Sequence, residues 1–256
     1  MFKAIWAARW YVLLGFFTFL IILVVNTPLH FVWRWVEPSL ARLPVKIEQV
    51  NGTLWRGHVR LQIPQLRSLG TLDGVWQLHP ASLLSGNAAL GLAVDGEGVR
   101  LKSDVTVSAA GHVALENTQG FLEAASIAPL LRRNQVTVAG HFELNNLALN
   151  ADLNSRQLSG VQGQLIYSGG DVGFPVDRKP VNATMPMLIG QLAMEGDKAV
   201  INFTTTEGQQ LIQGYLQPDG WGGAAIRRRF LDVLGQKWPV QSTEDTVIFE
   251  VSHKVL

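Results

Sequence analysis

Two hydrophobic patterns divide the chain. Residues 10–29 carry no charge and are apolar on every side. At about 1.5 Å rise per residue, such a helix matches the ~30 Å hydrocarbon core of a bilayer. Trp6, Trp10 and Tyr11 gather at one end of the stretch, and Phe31, Trp33 and Trp35 at the other. That placement suits the aromatic belts of the two membrane interfaces. Lys3 and Arg9 precede the stretch and the first acidic residue is Glu37, so the positive-inside rule puts the N-terminus in the cytoplasm. A cleaved signal peptide would have a shorter apolar region ending at a small-x-small site; the residues around Val25 and Pro28 offer none. The expectation is an uncleaved single-pass anchor over 10–29, with Trp10, Phe16, Phe17, Phe19, Leu20, Ile22 and Val25 in the membrane. Residues 1–9 are then a cytoplasmic N-terminus. Residues 30–44, with Pro38 and Pro44, are a membrane-proximal connector.

From Val45 onward the pattern changes to alternation with period two, the signature of strands with one buried and one wet face. In residues 55–63, Trp55, Val59, Leu61 and Ile63 point one way and Arg56, His58, Arg60 and Gln62 the other, with Pro64 as a stop. Residues 75–78 begin a second strand, and 80–86 read as a short helical or turn break. Residues 89–94 and 99–102 flank Asp95-Gly96-Glu97-Gly98, a hairpin signal. Residues 103–108 alternate, and Val113 and Leu115 continue their parity. Residues 123–133 predict a short helix, limited by Pro129. Phe142 and Leu144, with Val136 and Val138, share one parity; Leu147, Leu149, Ala151 and Leu153 share the other. A bulge or turn at Asn145-Asn146 would restore all eight to one face. Residues 161–167, 188–194, 200–206, 211–216 and 247–251 predict further strands, and 169–182 a loop. Residues 224–234 predict an amphipathic helix with Ile226, Phe230, Leu231 and Leu234 in one stripe. The fold class expected is mainly β: a single transmembrane helix, then over 45–256 one large, curved antiparallel sheet with a few short helices. No strand–helix alternation favours a parallel sheet. The 25 glycines allow bulges and strong curvature.

Composition sharpens this picture. Charged residues are 16% of the chain, below the usual ~25%, so apolar surface is expected to face something other than water. The net charge of +1 gives no electrostatic case for nucleic acid. Cysteine is absent, which removes disulfides, thiolate metal sites and cysteine nucleophiles. None of the six histidines (His30, His58, His79, His112, His141, His253) stands at metal-ligand spacing, and no nucleophile-elbow motif occurs. No catalytic residue, metal or cofactor is expected. Two features remain. The set Trp55, Val59, Leu61, Ile63, Phe142, Leu144 and Phe203 marks an apolar face, either plain core or a ligand groove. Arg227, Arg228 and Arg229 make either a solvated helix face or a docking site for anionic headgroups or an acidic partner.

Specific residues also carry a resemblance. Val50 to Gly57 (VNGTLWRG) is followed about twenty residues later by Trp76 to Pro80 (WQLHP) and the Leu-rich residues 81–86, all soon after a single anchor. This resembles the type II secretion system protein N family over nearly the whole chain. The resemblance implies an accessory, non-enzymatic inner-membrane subunit with the bulk of the chain in the periplasm. Its partners would be other secretion components, in the inner-membrane platform or the secretin, and membrane lipids through the N-terminal helix. A more distant similarity to AsmA-like envelope proteins implies an alternative: lipid binding or transfer along an apolar β-sheet groove.

Overall fold

Period-two alternation produces sixteen strands in a computed structural model. It describes residues 45–254, apart from 134, 156, 177–178 and 237–241, together with 16, 18 and 19. The expected anchor residues Trp10, Phe17, Leu20, Ile22 and Val25, and the connector 30–44, lie outside the described residues; Phe16 and Phe19 are helical and exposed. Among the described residues, no helix is long and apolar enough to cross a membrane.

The first half of the sheet is a run of hairpins: β1 (Lys46–Gly52), β2 (Arg56–Gln62), β3 (Thr71–His79), β4 (Asn87–Gly96), β5 (Val99–Ser108) and β6 (His112–Glu123). Then come β7 (Thr137–Val138), β8 (His141–Asp152), β9 (Gln157–Tyr167), β10 (Gly170–Val176) and β11 (Lys179–Met185). The chain finishes with β12 (Leu188–Glu195), β13 (Lys198–Thr205), β14 (Gln210–Leu216), β15 (Trp221–Arg227) and β16 (Val247–Lys254). Thirteen of these form one antiparallel sheet in chain order, β1-β2-β3-β4-β5-β6-β8-β9-β12-β13-β14-β15-β16. The other three form a small sheet, β11-β10-β7. Among the described residues from 45 onward, the helices are α1 (Pro80–Leu83), α2 (Ala124–Arg132) and α3 (Arg228–Val233).

Three expectations are corrected. Residues 169–182 are not a loop but most of the β10–β11 hairpin, with Pro175 opposite Pro180. Proline is tolerated there because β11 is an edge and β7 reaches only Val172 and Gly173 of β10. Residues 224–227 are the end of β15 rather than the start of a helix. Ala224 and Ile226 pair with Gly214 and Ile212 on one side and with Val251 and Phe249 on the other. Two ladders satisfy more backbone than one helical turn, so the helix is confined to Arg228–Val233. Val138 also leaves the main sheet with β7, which belongs to the small one, and Val136 stands just before β7, so the eight residues do not share one face.

The parity switch at Asn145-Asn146 is a bulge within continuous β8: Gly120 faces Leu144, while Thr118 faces Leu147. Asn146 takes φ +49, a left-handed conformation that asparagine tolerates better than most residues. The neighbouring strand β6 bulges alongside, with Asn117 at φ +50. A bulge bends its strand and raises the local twist, and two side by side concentrate that bend along one line across the sheet.

The best-buried cluster sits near one end of β9, β12 and β14. Tyr167, Leu188, Leu211 and Leu234 pack with Val172 and Met185 of the small sheet. Phe142, Phe203 and Phe230 complete it. The Tyr167 hydroxyl donates to the Ala139 carbonyl at 2.8 Å. Burial raises its pKa, with the Asp171 carboxylate adding to the effect, so it stays a donor. At the same end of the first half, α2 and a single 3-10 turn (Arg67–Leu69) close the strands, linked by Ser68 donating to the Ser126 carbonyl.

Candidate functional site

Residues directly opposite in an antiparallel ladder share a face, so side-chain rows can be followed from strand to strand. One row begins Val50, Val59, Gly74, Val94, Leu101, Gly120 through β1–β6. It continues Leu144, Leu165, Gly190, Phe203, Ile212, Ile226 and Phe249 through β8 to β16. Every member is apolar or glycine. The thirteen-strand row spans roughly 58 Å at ~4.8 Å per strand.

Flanking rows extend the pattern. On one side, Leu122 pairs with Phe142, Phe142 with Tyr167 and Tyr167 with Leu188. On the other, Trp76 pairs with Leu92 and Leu92 with Ser103. Beyond these, Leu90, Val105, Leu115, Leu149 and Val161 form a row of their own. The Ser103 and Thr118 hydroxyls interrupt the apolar surface, yet they hydrogen-bond each other at 2.7 Å and are buried. Trp76 lies over Gly57, where a Cβ would come within 2.2 Å of its ring, and its indole N–H donates to the Leu54 carbonyl at 3.3 Å.

The opposite face is polar and wet. Its rows run Arg60, Asp73, Asp95, Arg100 and Phe121, and Asn145, Gln164, Gln191, Asn202 and Gln213. Arg60 bonds Asp73 at 3.0 Å across the ladder. The two faces differ in shielding as well. Asp73, Asp95, Arg100, Lys102 and Gln119 are exposed, while Leu90, Leu92, Val94, Val105 and Leu144 are half-buried.

Of the residues expected on the apolar face, Val59, Leu144 and Phe203 fall in the central row, and Leu61 and Phe142 in the flanking one. Trp55 and Ile63 lie just beyond the two ends of β2; the Trp55 carbonyl accepts from the Leu78 N–H at 2.7 Å and extends the β2–β3 pairing. The reading from sequence did not include Leu90, Val94, Leu101 and Leu165, members whose shared face is set by register.

Arg227, Arg228 and Arg229 are gathered by a local tether. Arg227 donates to the Asp245 carbonyl at 3.1 Å. Arg228 pairs with Asp232 at 3.4 Å and donates to the Ser242 carbonyl. Arg229 pairs with Glu244 at 3.1 Å and Asp245 at 3.3 Å. The three arginines hold residues 242–246 against the start of α3 and so position β16.

At the turn-rich end of the sheet, opposite α2 and the small sheet, Leu83, Leu84, Leu153 and Trp221 are exposed, Leu84 at 93%. A concavity of about 510 Å³ lies between α2, β7 and the adjoining ends of β6 and β8, bordered by Phe121, Arg132, Val138 and His141. His141 is engaged with Glu143 at 3.2 Å and sits 5.2 Å from the Phe121 ring. Among the described residues, no group of three or more potential metal ligands occurs.

Residues 44–229 match the family described as type II secretion system (T2SS), protein N. The match begins just before β1 and ends within α3. No curated protein and no solved structure matches the chain.

Proposed function

The chain belongs to the type II secretion system protein N family, and on that premise we propose that it is a non-enzymatic, single-pass inner-membrane subunit of the secretion machinery. Membership makes it a secretion-system component with an envelope-associated location. The finer reading adds an anchor at residues 10–29 with the N-terminus in the cytoplasm, and the sheet in the periplasm. There the subunit supports export of folded proteins through contacts with other secretion components, in the platform or the secretin.

The observation that carries this reading is the family match across most of the sheet. Geometry supports a contact route. The two sheet edges are unlike. In β1 the register shifts between Ile47 and Gln49, and Lys46 and Glu48 flank the shift, devices that discourage strand addition. β16 has Val247 and Val251 exposed at 46% and 64%, and its outer edge is unpaired among the described strands. Such an edge accepts an extended segment by β-addition.

Deleting the gene is expected to reduce the export of folded exoproteins. Restoring it with Glu250→Pro, which removes an N–H that points away from β15 at the free edge of β16, should restore protein level but not export. Undiminished secretion in the deletion strain removes the subunit reading. Full rescue by Glu250→Pro removes the β16 route alone.

A further inference from the structure

We propose that the concavity between α2 and β7 takes a short extended peptide, positive on its N-terminal side and negative on its C-terminal side. Backbone direction at β7 sets the site. Ala139 donates its N–H to the Asp171 carbonyl at 2.8 Å, so residues 137 and 139 turn their backbone groups toward β10. Val138 turns its own N–H and C=O the other way. On that outer side its neighbours are engaged with α2. Val136 donates to the Leu131 carbonyl at 3.0 Å, and the Gly140 carbonyl accepts from the Ala124 N–H at 3.0 Å. Between these two tethers, Val138 keeps a donor and an acceptor with no backbone partner among the described residues. It borders the concavity of about 510 Å³.

A residue with both groups on one side exchanges two hydrogen bonds with a single residue of an antiparallel strand. A peptide backbone supplies that donor and acceptor at the right spacing. The tethers at Ala124 and Leu131 lie about 10 Å apart along α2, at ~1.5 Å per residue. An extended occupant between them has about three residues, at ~3.4 Å each. The wall facing β7 leaves room for it. Ala125, Ala128 and Arg132 lie on one face of α2 and border the concavity, and the first two are small. Phe121 and Val136 give the middle of the occupant an apolar lining.

Charge sets the direction of the occupant. Glu123 borders the concavity at the Gly140 end and Arg132 at the Val136 end. Both are exposed, and neither is ion-paired among the described residues. His141, also at the border, is engaged with Glu143 at 3.2 Å. A peptide antiparallel to β7 runs from the Gly140 end toward the Val136 end, so its N-terminal side meets Glu123 and its C-terminal side meets Arg132. The free amino and carboxyl groups of a tripeptide satisfy that polarity. So do a basic and an acidic side chain flanking a stretch of a longer chain. The site is separate from the β16 edge and does not rest on the secretion reading.

The test uses purified full-length protein in mild detergent and saturation-transfer NMR with three probes. They are the free tripeptide Ala-Val-Ala, end-blocked Lys-Ala-Val-Ala-Glu and end-blocked Glu-Ala-Val-Ala-Lys. The expected result is millimolar or tighter binding of the first, the second or both, with the third weaker by about tenfold or more. Binding of the tripeptide alone assigns the charges to chain ends, and binding of the second probe alone assigns them to side chains within a longer segment. Val138→Pro removes the outward N–H. It and Arg132→Glu should each weaken binding by about tenfold or more. Ala125→Trp fills the concavity from an exposed position and should abolish binding, with an unchanged circular dichroism spectrum showing that the fold is kept. If Val138→Pro does not fold, the other two variants decide. Failure of both charge-matched probes to bind at millimolar concentration would overturn the proposal. So would equal binding of the charge-reversed probe, or binding indifferent to Ala125→Trp or Arg132→Glu in a folded protein.

Discussion

Deleting Asn146 removes one residue from β8 and with it the device that keeps both halves of the strand on one face. Phe142 and Leu144 would stay inward, while Leu147, Leu149 and Ala151 would turn to the polar face, or β8 would have to slip against β6 and β9. Leu147 and Leu149 are half-buried. Full burial of a leucine contributes about 1.5–3 kcal/mol, so the pair contributes roughly 2–3 kcal/mol. Turning Asn150 inward adds about 1 kcal/mol of amide desolvation. The deletion should therefore cost about 3–4 kcal/mol, read by urea unfolding of the full-length protein in mild detergent. Two substitutions set the scale. Asn146→Gly accepts φ +49 without strain and should lie within ~0.5 kcal/mol of the parent. Asn146→Val keeps the bulge but forces a branched residue into the left-handed region, at about 1–2 kcal/mol. If the deletion is no worse than Asn146→Gly, the bulge does not hold the face together and the reasoning fails.

Three further outcomes are expected. Thr118→Val should destabilise by about 1–2 kcal/mol by orphaning the Ser103 hydroxyl, and Ser103→Ala by less because Thr118 also donates to the Glu116 carbonyl at 3.5 Å, while the double variant recovers most of the loss; additive losses in urea unfolding would contradict the pairing. Gly57→Ala pushes a Cβ into the Trp76 ring and should cost about 1–3 kcal/mol, with a change in tryptophan emission; an unchanged spectrum and midpoint would refute the contact. Asp152 accepts from the Ser155 and Asn154 N–H groups at 2.8 Å and pairs with His112 at 3.1 Å. Its pKa lies below the usual carboxylate range, chiefly through the Ser155 N–H, against an opposing desolvation, with Asn154 and His112 adding to the lowering. A depressed native pKa stabilises the fold above the ordinary Asp range, and that contribution is lost as pH falls through the native value. Asp152→Ala should flatten stability between about pH 5 and 2; an unaltered pH profile would contradict it.

The strands of the first half were legible because alternation there is strict: Val59 and Leu61 against Arg56 and Arg60 leave only one facing. The switch at Asn145-Asn146 could be read because bulky leucines stand on both sides of it. Its twin at Asn117 could not, since the neighbours after it, Thr118 and Gly120, carry no strong apolar signal. The β10–β11 hairpin was hidden by proline and glycine, residues that mark loops except at strand edges. The stripe Ile226, Phe230, Leu234 has helical spacing, yet its first member pairs in a sheet; tertiary pairing overrides local periodicity there. Membership of the apolar face was the least legible feature. Leu101 and Leu165 look like ordinary core leucines until the ladders put them in one row.

Strand order equals chain order across the large sheet, with the small sheet built from two excursions, β7 between β6 and β8 and the β10–β11 hairpin between β9 and β12. Nearly every pairing therefore closes a short loop, which lowers the entropic barrier and makes folding faster than in sandwiches or barrels of similar size. A chain made from its N-terminus can add each strand to the last as soon as it is long enough, with no wait for a distant partner. Until the next strand arrives, the growing margin offers unpaired backbone to any neighbouring chain. Of the sixteen strands β16 is the last to be made, and its margin stays unpaired among the described strands.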